Sequence, residues 1–156
     1  MYVGSAAIFV FVVRCFVSGS QHTSGLKILT PEEARNLIET KTDRRESQTA
    51  SAKEVSRYIP QDTGGNYGDL ICRYRENGDV LLLRELVIID ELSPSEQDVQ
   101  WYASLNARRI SSVRVLNIGR ERAYCYRIEV AGADALAYVR VPPRHDPRVL
   151  IEIYGF

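Results

Sequence analysis

Four short β-type runs in the last third of the chain constrain the fold most strongly. They read SSVRVLNIG (111–119), RAYCYRIEV (122–130), ALAYVRV (135–141) and RVLIEIYGF (148–156). Valine, isoleucine and tyrosine recur in these runs, and such residues favour strands. The connectors between the runs have at most six residues, whereas parallel neighbours need crossovers of about a dozen or more. We therefore expect an antiparallel meander.

An Asn77-Gly78 pair lies between two further β-type runs and predicts a hairpin. DLICRYRE (69–76) precedes the pair and DVLLLRELVIID (79–90) follows it. Asn-Gly is favoured at type I′ turns because both central residues need positive φ. The second run is apolar on both of its faces, which is typical of a central strand that is covered on both sides.

Three segments have the sequence signature of a helix N-terminus. LTPEE (29–33) combines a capping threonine, a proline at the first helical position and a glutamate that completes a capping box. SAKE (51–54) and SPSE (93–96) repeat the capping-box spacing. Apolar residues at helical spacing follow each start. We expect one helix from Pro31, a second from Ser51 that ends at Pro60, and a third from Ser93 towards Arg109.

These elements predict an α+β fold. We expect a mainly antiparallel sheet of about five or six strands, with two N-terminal helices and one helix inserted after the first hairpin. Residues 21–156 would form this single domain, with 41–50 and 60–68 as flexible loops because of their polar or glycine-rich composition. The chain has 156 residues and is 45% hydrophobic and 26% charged, which is enough for one packed core.

An apolar run within residues 1–20 predicts export. Every residue from 6 to 13 is apolar, and after Arg14 three further residues precede the small residues 18–20. A membrane-spanning helix needs about 20 apolar residues, but a shorter run suits a signal peptide. We expect residues 1–20 to be a signal peptide and the protein to be secreted or periplasmic. Because Arg14 interrupts the run, an uncleaved membrane anchor and a segment of the fold itself stay open as alternatives.

The cysteine and histidine content limits redox and metal chemistry. The chain has three cysteines and two histidines and lacks a CxxC motif, so we expect no metal site and no cofactor. Once the leader is removed, Cys72 and Cys125 are left, and this even number permits one disulfide in an exported protein. The alternative is two unpaired, buried thiols that fill space in the core.

The segment PPRHDPR (142–148) is the most suggestive candidate site. It places the His145 imidazole beside a carboxylate and between the guanidinium groups of Arg144 and Arg148. Guanidinium groups bind oxyanions well, so we expect Arg144, His145 and Arg148 to contact an anionic ligand. A small hydrolase or transferase at this loop is the alternative, although a nucleophile motif such as GxSxG is missing.

Charge and motif content narrow the function classes. The 20 basic and 20 acidic residues balance to zero, so nothing in the net charge predicts binding to nucleic acid or to an anionic membrane. Membrane contact would come only from the N-terminal segment. We expect an exported, non-catalytic binding or scaffolding domain with a protein partner. A further alternative is an intracellular partner-binding protein whose apolar N-terminus is ordered against the sheet.

Overall fold

The computed structural model describes residues 10–15, 22–39, 56–58, 68–89 and 92–156. These ranges contain ten strands and one helix, α1 (Pro31–Glu39). The strands are β1 (Val10–Cys15), β2 (His22–Leu29), β3 (Ser56–Tyr58), β4 (Leu70–Cys72), β5 (Val80–Ile89), β6 (Gln97–Leu105), β7 (Ile110–Ile118), β8 (Tyr124–Ala131), β9 (Asp134–Val141) and β10 (Arg148–Gly155).

The strands form two five-stranded sheets. Sheet A has the order β1-β5-β10-β7-β4, and sheet B has the order β2-β6-β9-β8-β3. Every neighbouring pair is antiparallel. The two sheets share one hydrophobic core, so the fold is a β-sandwich. The antiparallel sheet structure is confirmed, whereas the predicted α+β class with three helices is wrong.

Alternate residues of the middle strands build the core between the sheets. Val99, Trp101 and Ala103 of β6 are buried, and so are Val149 and Ile151 of β10. Side chains at positions i and i+2 lie on one face of a strand, which explains this spacing. Burial of each large apolar side chain contributes about 1.5–3 kcal/mol. The shared core is therefore what holds the two sheets together.

The predicted third helix is wrong, because this segment is strand β6. A helix from Ser93 would bury Val99, Tyr102 and Leu105 on one side. In the structure Trp101 is 1% exposed and Tyr102 is 44% exposed, so the period is two residues. Val99 and Leu105 are an even number of positions apart, so both lie on the inner face of the strand with Trp101. The pairing of β6 with β2 and β9 on its two sides decides in favour of the strand.

Helix α1 begins at Pro31, as predicted, and the predicted capping box is present. The Glu33 backbone N–H donates to Thr30 Oγ1 at 3.3 Å, and the Thr30 backbone N–H donates to Glu33 Oε2 at 2.9 Å. Lys27 Nζ donates to Glu33 Oε1 at 2.6 Å. The hydrogen bonds from Lys27 and Thr30 lower the pKa of Glu33 from 4.5 to about 2. The cap is therefore complete above pH 4.5 and is lost as the pH falls towards 2.

The predicted second helix is wrong where the structure describes it. Ser56–Tyr58 is strand β3, which pairs with β8 so that Tyr58 lies opposite Ile128. The rest of that predicted helix lies outside the described residues. A capping box favours only the start of a helix, and so short a helix is marginal in isolation. Pairing with the edge of sheet B therefore overrides the local signal.

A turn is present at Asn77-Gly78, but only Gly78 has positive φ, so it is not the type I′ turn that the pair predicts, and its flanking strands do not pair with each other. The Asp79 N–H donates to the Glu76 carbonyl at 3.2 Å, and Gly78 has a φ of +87°. β4 pairs with β7, whereas β5 pairs with β1 and β10. The buried Asp79 carboxylate accepts the Ser111 hydroxyl of β7 at 2.7 Å. The predicted hairpin is wrong because β10 and β7 lie between its two strands.

Strand β5 lies inside sheet A, and its two faces differ in burial. Leu83 and Val87 are buried in the core. Leu86 and Ile88 on the opposite face are half-buried. The outer face of β5 is thus less buried than its core face among the described residues, and full cover of both faces stays a prediction.

Part of the N-terminal apolar run forms β1. This strand pairs with β5 from Val10 opposite Ile89 to Cys15 opposite Arg84, and Arg14 is the register partner of Glu85. Residues 1–9 and 16–20 lie outside the described residues, so cleavage of residues 1–20 stays a prediction. The predicted loop 41–50 also lies outside them, as does 60–68 except Gly68.

Gly155 lies at a bulge of β10 where a side chain does not fit. An added Cβ would lie 2.2 Å from the Arg109 carbonyl oxygen and 2.8 Å from Leu82 Cδ1. We expect Gly155→Ala to lower the free energy of unfolding by about 3 kcal/mol, because backbone and core must both shift. Urea unfolding measures this change.

The matched control for this substitution is Gly132→Asn. Gly132 has a φ of +65°, and a Cβ there meets nothing within 4 Å. Asparagine tolerates this backbone conformation, so the loss should stay below about 1 kcal/mol. Equal losses in the two variants would show that crowding at Gly155 is not the cause.

Candidate functional site

Helix α1 packs against the outer face of sheet B through its apolar side. Ala34 is buried against Leu29 and Tyr138, and Leu37 packs on the same cluster. Arg127 Nη1 donates to the Leu37 carbonyl at 3.3 Å. This bond satisfies a carbonyl in the last turn of the helix, which has no partner within the helix itself. The helix is thereby fixed to β8 and β9.

A cleft opens where the first turns of α1 meet sheet B. Its volume is about 430 Å³, within the range of about 300–1,000 Å³ that is usual for ligand sites. Strand β2 and helix α1 supply an apolar wall, and the start of β6 together with β9 supplies a polar floor. The wall consists of Ile28, Leu29, Pro31 and Ala34.

Arg140, Asp98 and Glu96 form the polar floor. Asp98 of β6 and Arg140 of β9 are register partners. Arg140 Nε donates to Asp98 Oδ1 at 2.9 Å, and Arg140 Nη2 donates to Asp98 Oδ2 at 3.1 Å. Arg140 Nε also lies 3.2 Å from Glu96 Oε1. The hydrogen bond to Asp98 raises the pKa of Arg140, so this side chain stays cationic and is held in place.

Tyr126 lies against the floor and is neutral. The guanidinium carbon of Arg140 is 5.5 Å from the centroid of the Tyr126 ring. The Tyr126 hydroxyl is buried and lacks a hydrogen-bond partner among the described residues. Burial, with a contribution from the Asp98 charge, raises the pKa of Tyr126 to about 12. The phenol is therefore protonated at neutral pH and remains a hydrogen-bond donor.

The floor carries an excess of negative charge. Asp98 and Glu96 share the single guanidinium group of Arg140. The Asp98 side chain is 11% exposed, whereas that of Glu96 is 53% exposed. Glu96 is thus the carboxylate that a ligand reaches first. Arg35 lines the cleft from α1, and it adds a separate cationic group on the helix side.

The three residues predicted to contact an anion, Arg144, His145 and Arg148, do not share one site in the structure. Arg144 is exposed and has a φ of +59°. Its backbone N–H donates to the Ser93 carbonyl at 2.7 Å. His145 is half-buried, and its Nδ1 lies 2.8 Å from the Pro143 carbonyl oxygen. Both residues are thus held by backbone contacts near the start of β6.

Arg148 lies at the other side of this loop and lines a separate shallow cavity. The cavity has a volume of about 290 Å³ and also includes Arg120. Glu121 Oε2 accepts the Asp146 backbone N–H at 2.5 Å, which ties the loop to the connector between β7 and β8. Anion contact by Arg144, His145 and Arg148 stays a prediction.

Cys72 and Cys125 are free and buried. Cys72 lies on β4 of sheet A, Cys125 lies on β8 of sheet B, and both belong to the shared core. The predicted disulfide is absent from the structure, and the alternative of two thiols that fill core space describes what is found. Burial raises the pKa of both thiols, that of Cys125 to about 12.

Comparisons and residue clusters give no further assignment. In the part of the chain that the structure describes, no group of three His, Cys, Asp or Glu residues could hold a metal ion. None of the described helical residues form a helix long and apolar enough to cross a membrane. No protein-family model, curated protein or solved structure matches the chain. Fold and site together define a β-sandwich with a cleft beside its helix.

The sequence analysis missed the cleft residues. Asp98 fell within a predicted helix, so its register with Arg140 on β9 could not be derived. Arg140 is the polar residue of the run ALAYVRV, and a polar residue in an alternating strand faces away from the core. This alternation is the local signal for Arg140. Its partner could be found only once β6 is known to be a strand.

We expect Cys72 and Cys125 to react with Ellman's reagent only when the protein unfolds. A Cys15→Ser variant leaves these two thiols as the reactive groups. Their raised pKa values keep the thiolate fraction small at pH 8, and burial blocks access. Urea should accelerate the reaction at least about 100-fold. Fast reaction of either thiol in native buffer would contradict this, and so would thiols that appear only after reduction.

Proposed function

We propose that this chain is a small non-catalytic binding domain that accepts a basic side chain of a protein partner in the cleft between α1 and sheet B. The observation that carries the proposal is the exposed Glu96 carboxylate, which stands beside the Arg140–Asp98 pair and next to an apolar wall. The wall and the carboxylate match the two parts of a lysine side chain.

The cleft is organised before a ligand binds. Arg140 is fixed by two hydrogen bonds to Asp98, so the charge of Asp98 is largely balanced. Glu96 supplies the remaining negative charge, and it can accept from a ligand ammonium group. The methylene stem of that ligand would lie on Leu29, Pro31 and Ala34. A site that needs little rearrangement loses less entropy on binding.

Arg35 adds a second element of recognition. It is exposed on α1 and lines the same cleft. A guanidinium group pairs well with carboxylates and carbonyl groups. We infer that Arg35 contacts the main chain or an acidic neighbour next to the inserted basic residue. A peptide segment fits this pattern better than a free amine.

The pairing of β1 with β5 supports a form of the domain that keeps its N-terminal apolar segment. Without β1, the backbone groups of β5 from Arg84 to Ile89 would lose their neighbours on that edge. This favours the interpretation in which the segment is ordered against the sheet. Export to a secreted or periplasmic location stays a prediction, as does the catalytic alternative at the 142–148 loop.

The proposal can be tested with two small probes that differ only in charge. N-acetyl-lysine methylamide and N-acetyl-norleucine methylamide share the aliphatic stem. We expect the lysine probe to bind at least about fivefold more tightly, because Glu96 pairs with its ammonium group. NMR titration of backbone amides gives both dissociation constants and shows whether residues 95–98 and α1 respond.

Two variants separate the cleft from general surface charge. Glu96→Gln should abolish the preference for the lysine probe and leave the norleucine probe unaffected. Glu121→Gln makes the same charge change at the 290 Å³ cavity and should keep the preference. The proposal fails if both probes bind equally to the unmodified protein, or if the two variants behave alike.

A further inference from the structure

The outer face of sheet A carries a row of charged side chains on three neighbouring strands. Arg84 of β5 and Arg114 of β7 are both register partners of Glu152 on β10. Tyr154 lies two residues further along β10 and is 8% exposed. This face lies on the opposite side of the sandwich from the α1 cleft, so it is a separate surface.

The carboxylate in the middle of this row already accepts three hydrogen bonds. Glu152 Oε1 accepts hydrogen bonds from Arg84 Nε at 2.9 Å and from Arg84 Nη2 at 2.6 Å. Glu152 Oε2 accepts the Tyr154 hydroxyl at 3.1 Å. Glu152 is 5% exposed. Its hydrogen bonds are thus directed to Arg84 and Tyr154 rather than to Arg114.

A second arginine at this surface is also paired. Arg75 donates from Nε and Nη2 to Asp79 Oδ1, at 2.9 and 2.8 Å. Its guanidinium carbon lies over the Tyr154 ring, 4.1 Å from the centroid. Arg75 therefore brings a cation to the rim of the row, although Asp79 balances its charge.

Arg114 takes no part in the hydrogen bonds described above. It is half-buried, and its guanidinium carbon lies 5.6 Å from the centroid of the Tyr154 ring. Its Nε is buried and has no hydrogen-bond partner within the described chain. A buried donor on a charged group is costly when it is left unsatisfied. The three arginines and the carboxylates of Asp79 and Glu152 together carry one net positive charge.

We propose that Arg114, flanked by Arg75 and Arg84, forms a binding site for an oxyanion. The Tyr154 ring contacts the Arg114 guanidinium group through its π face, and this contact uses none of the N–H donors of the group. Carboxylate and phosphate groups both match that fork geometry. A bound oxyanion would accept from the solvent-facing part of the half-buried Arg114 side chain and neutralise the excess charge, and it could come from free phosphate or from an acidic side chain.

The test follows the arginine Nε–H signals by NMR during titration with sodium phosphate, sodium acetate or sodium chloride at equal ionic strength. We expect a saturable shift of the Arg114 signal with an oxyanion and little change with chloride. A shift with phosphate only identifies a phosphate site, and a shift with acetate as well identifies carboxylate recognition. The site is refuted if the Arg114 signal stays unchanged or responds equally to chloride.

The melting temperatures of variants give a second, independent measure of oxyanion binding. We expect phosphate at about ten times its dissociation constant to raise the Tm of the unmodified protein by about 2–4 °C over chloride. Arg114→Gln should abolish this rise, and Arg114→Lys, which keeps the charge but not the fork, should reduce it. Arg108→Gln is the control and should keep the rise. Loss of the rise in Arg148→Gln instead would overturn the assignment to Arg114.

Discussion

The buried carboxylate of Glu85 constrains how the two sheets meet within their shared hydrophobic core. Glu85 is 1% exposed and lies on β5 of sheet A. It accepts the Ser24 hydroxyl of β2 at 2.8 Å and the Trp101 Nε1–H of β6 at 3.3 Å, and both of these strands belong to sheet B. A buried carboxylate is very costly unless hydrogen bonds or a cation compensate it. These two hydrogen bonds therefore link β5 of sheet A to β2 and β6 of sheet B. Arg14, the register partner of Glu85 on β1, brings the N-terminal segment to the same place.

Elements with local determinants could be predicted from the sequence, and elements with distant determinants could not. The capping box of α1 and the turn at Asn77-Gly78 are defined by neighbouring residues, and both are present. Residues 97–105 form a strand instead of a helix because they pair with β2 and β9 and because Trp101 donates to Glu85. Strand β10 pairs with β5 and separates it from β7 and β4, although β10 lies more than 50 residues further along the chain than β5. No local pattern contains that information, because long-range pairing decides it.

The candidate sites were hidden from the sequence for the same reason. Glu96, Asp98 and Arg140 meet only because β6 pairs with β9 and α1 packs beside them. The net charge of zero also concealed a local difference. The floor of the cleft on sheet B has one more carboxylate than it has guanidinium groups, and Arg35 adds a cation on the helix side. The outer face of sheet A has an excess positive charge at Arg114. Two separate charged surfaces on one small sandwich suit a domain that binds partners, which is the function we propose.

Deletion of residues 1–20 tests most directly whether β1 is a structural strand of the sandwich. The full chain and the shortened chain would be compared by urea unfolding and by amide hydrogen exchange. If β1 completes sheet A beside Glu85, the shortened chain should lose several kcal/mol of stability, on the order of a missing strand, and the amides of residues 84–89 should exchange much faster. Unchanged stability with full protection of β5 would contradict this, and it would be the behaviour of a domain whose leader contributes nothing to the fold.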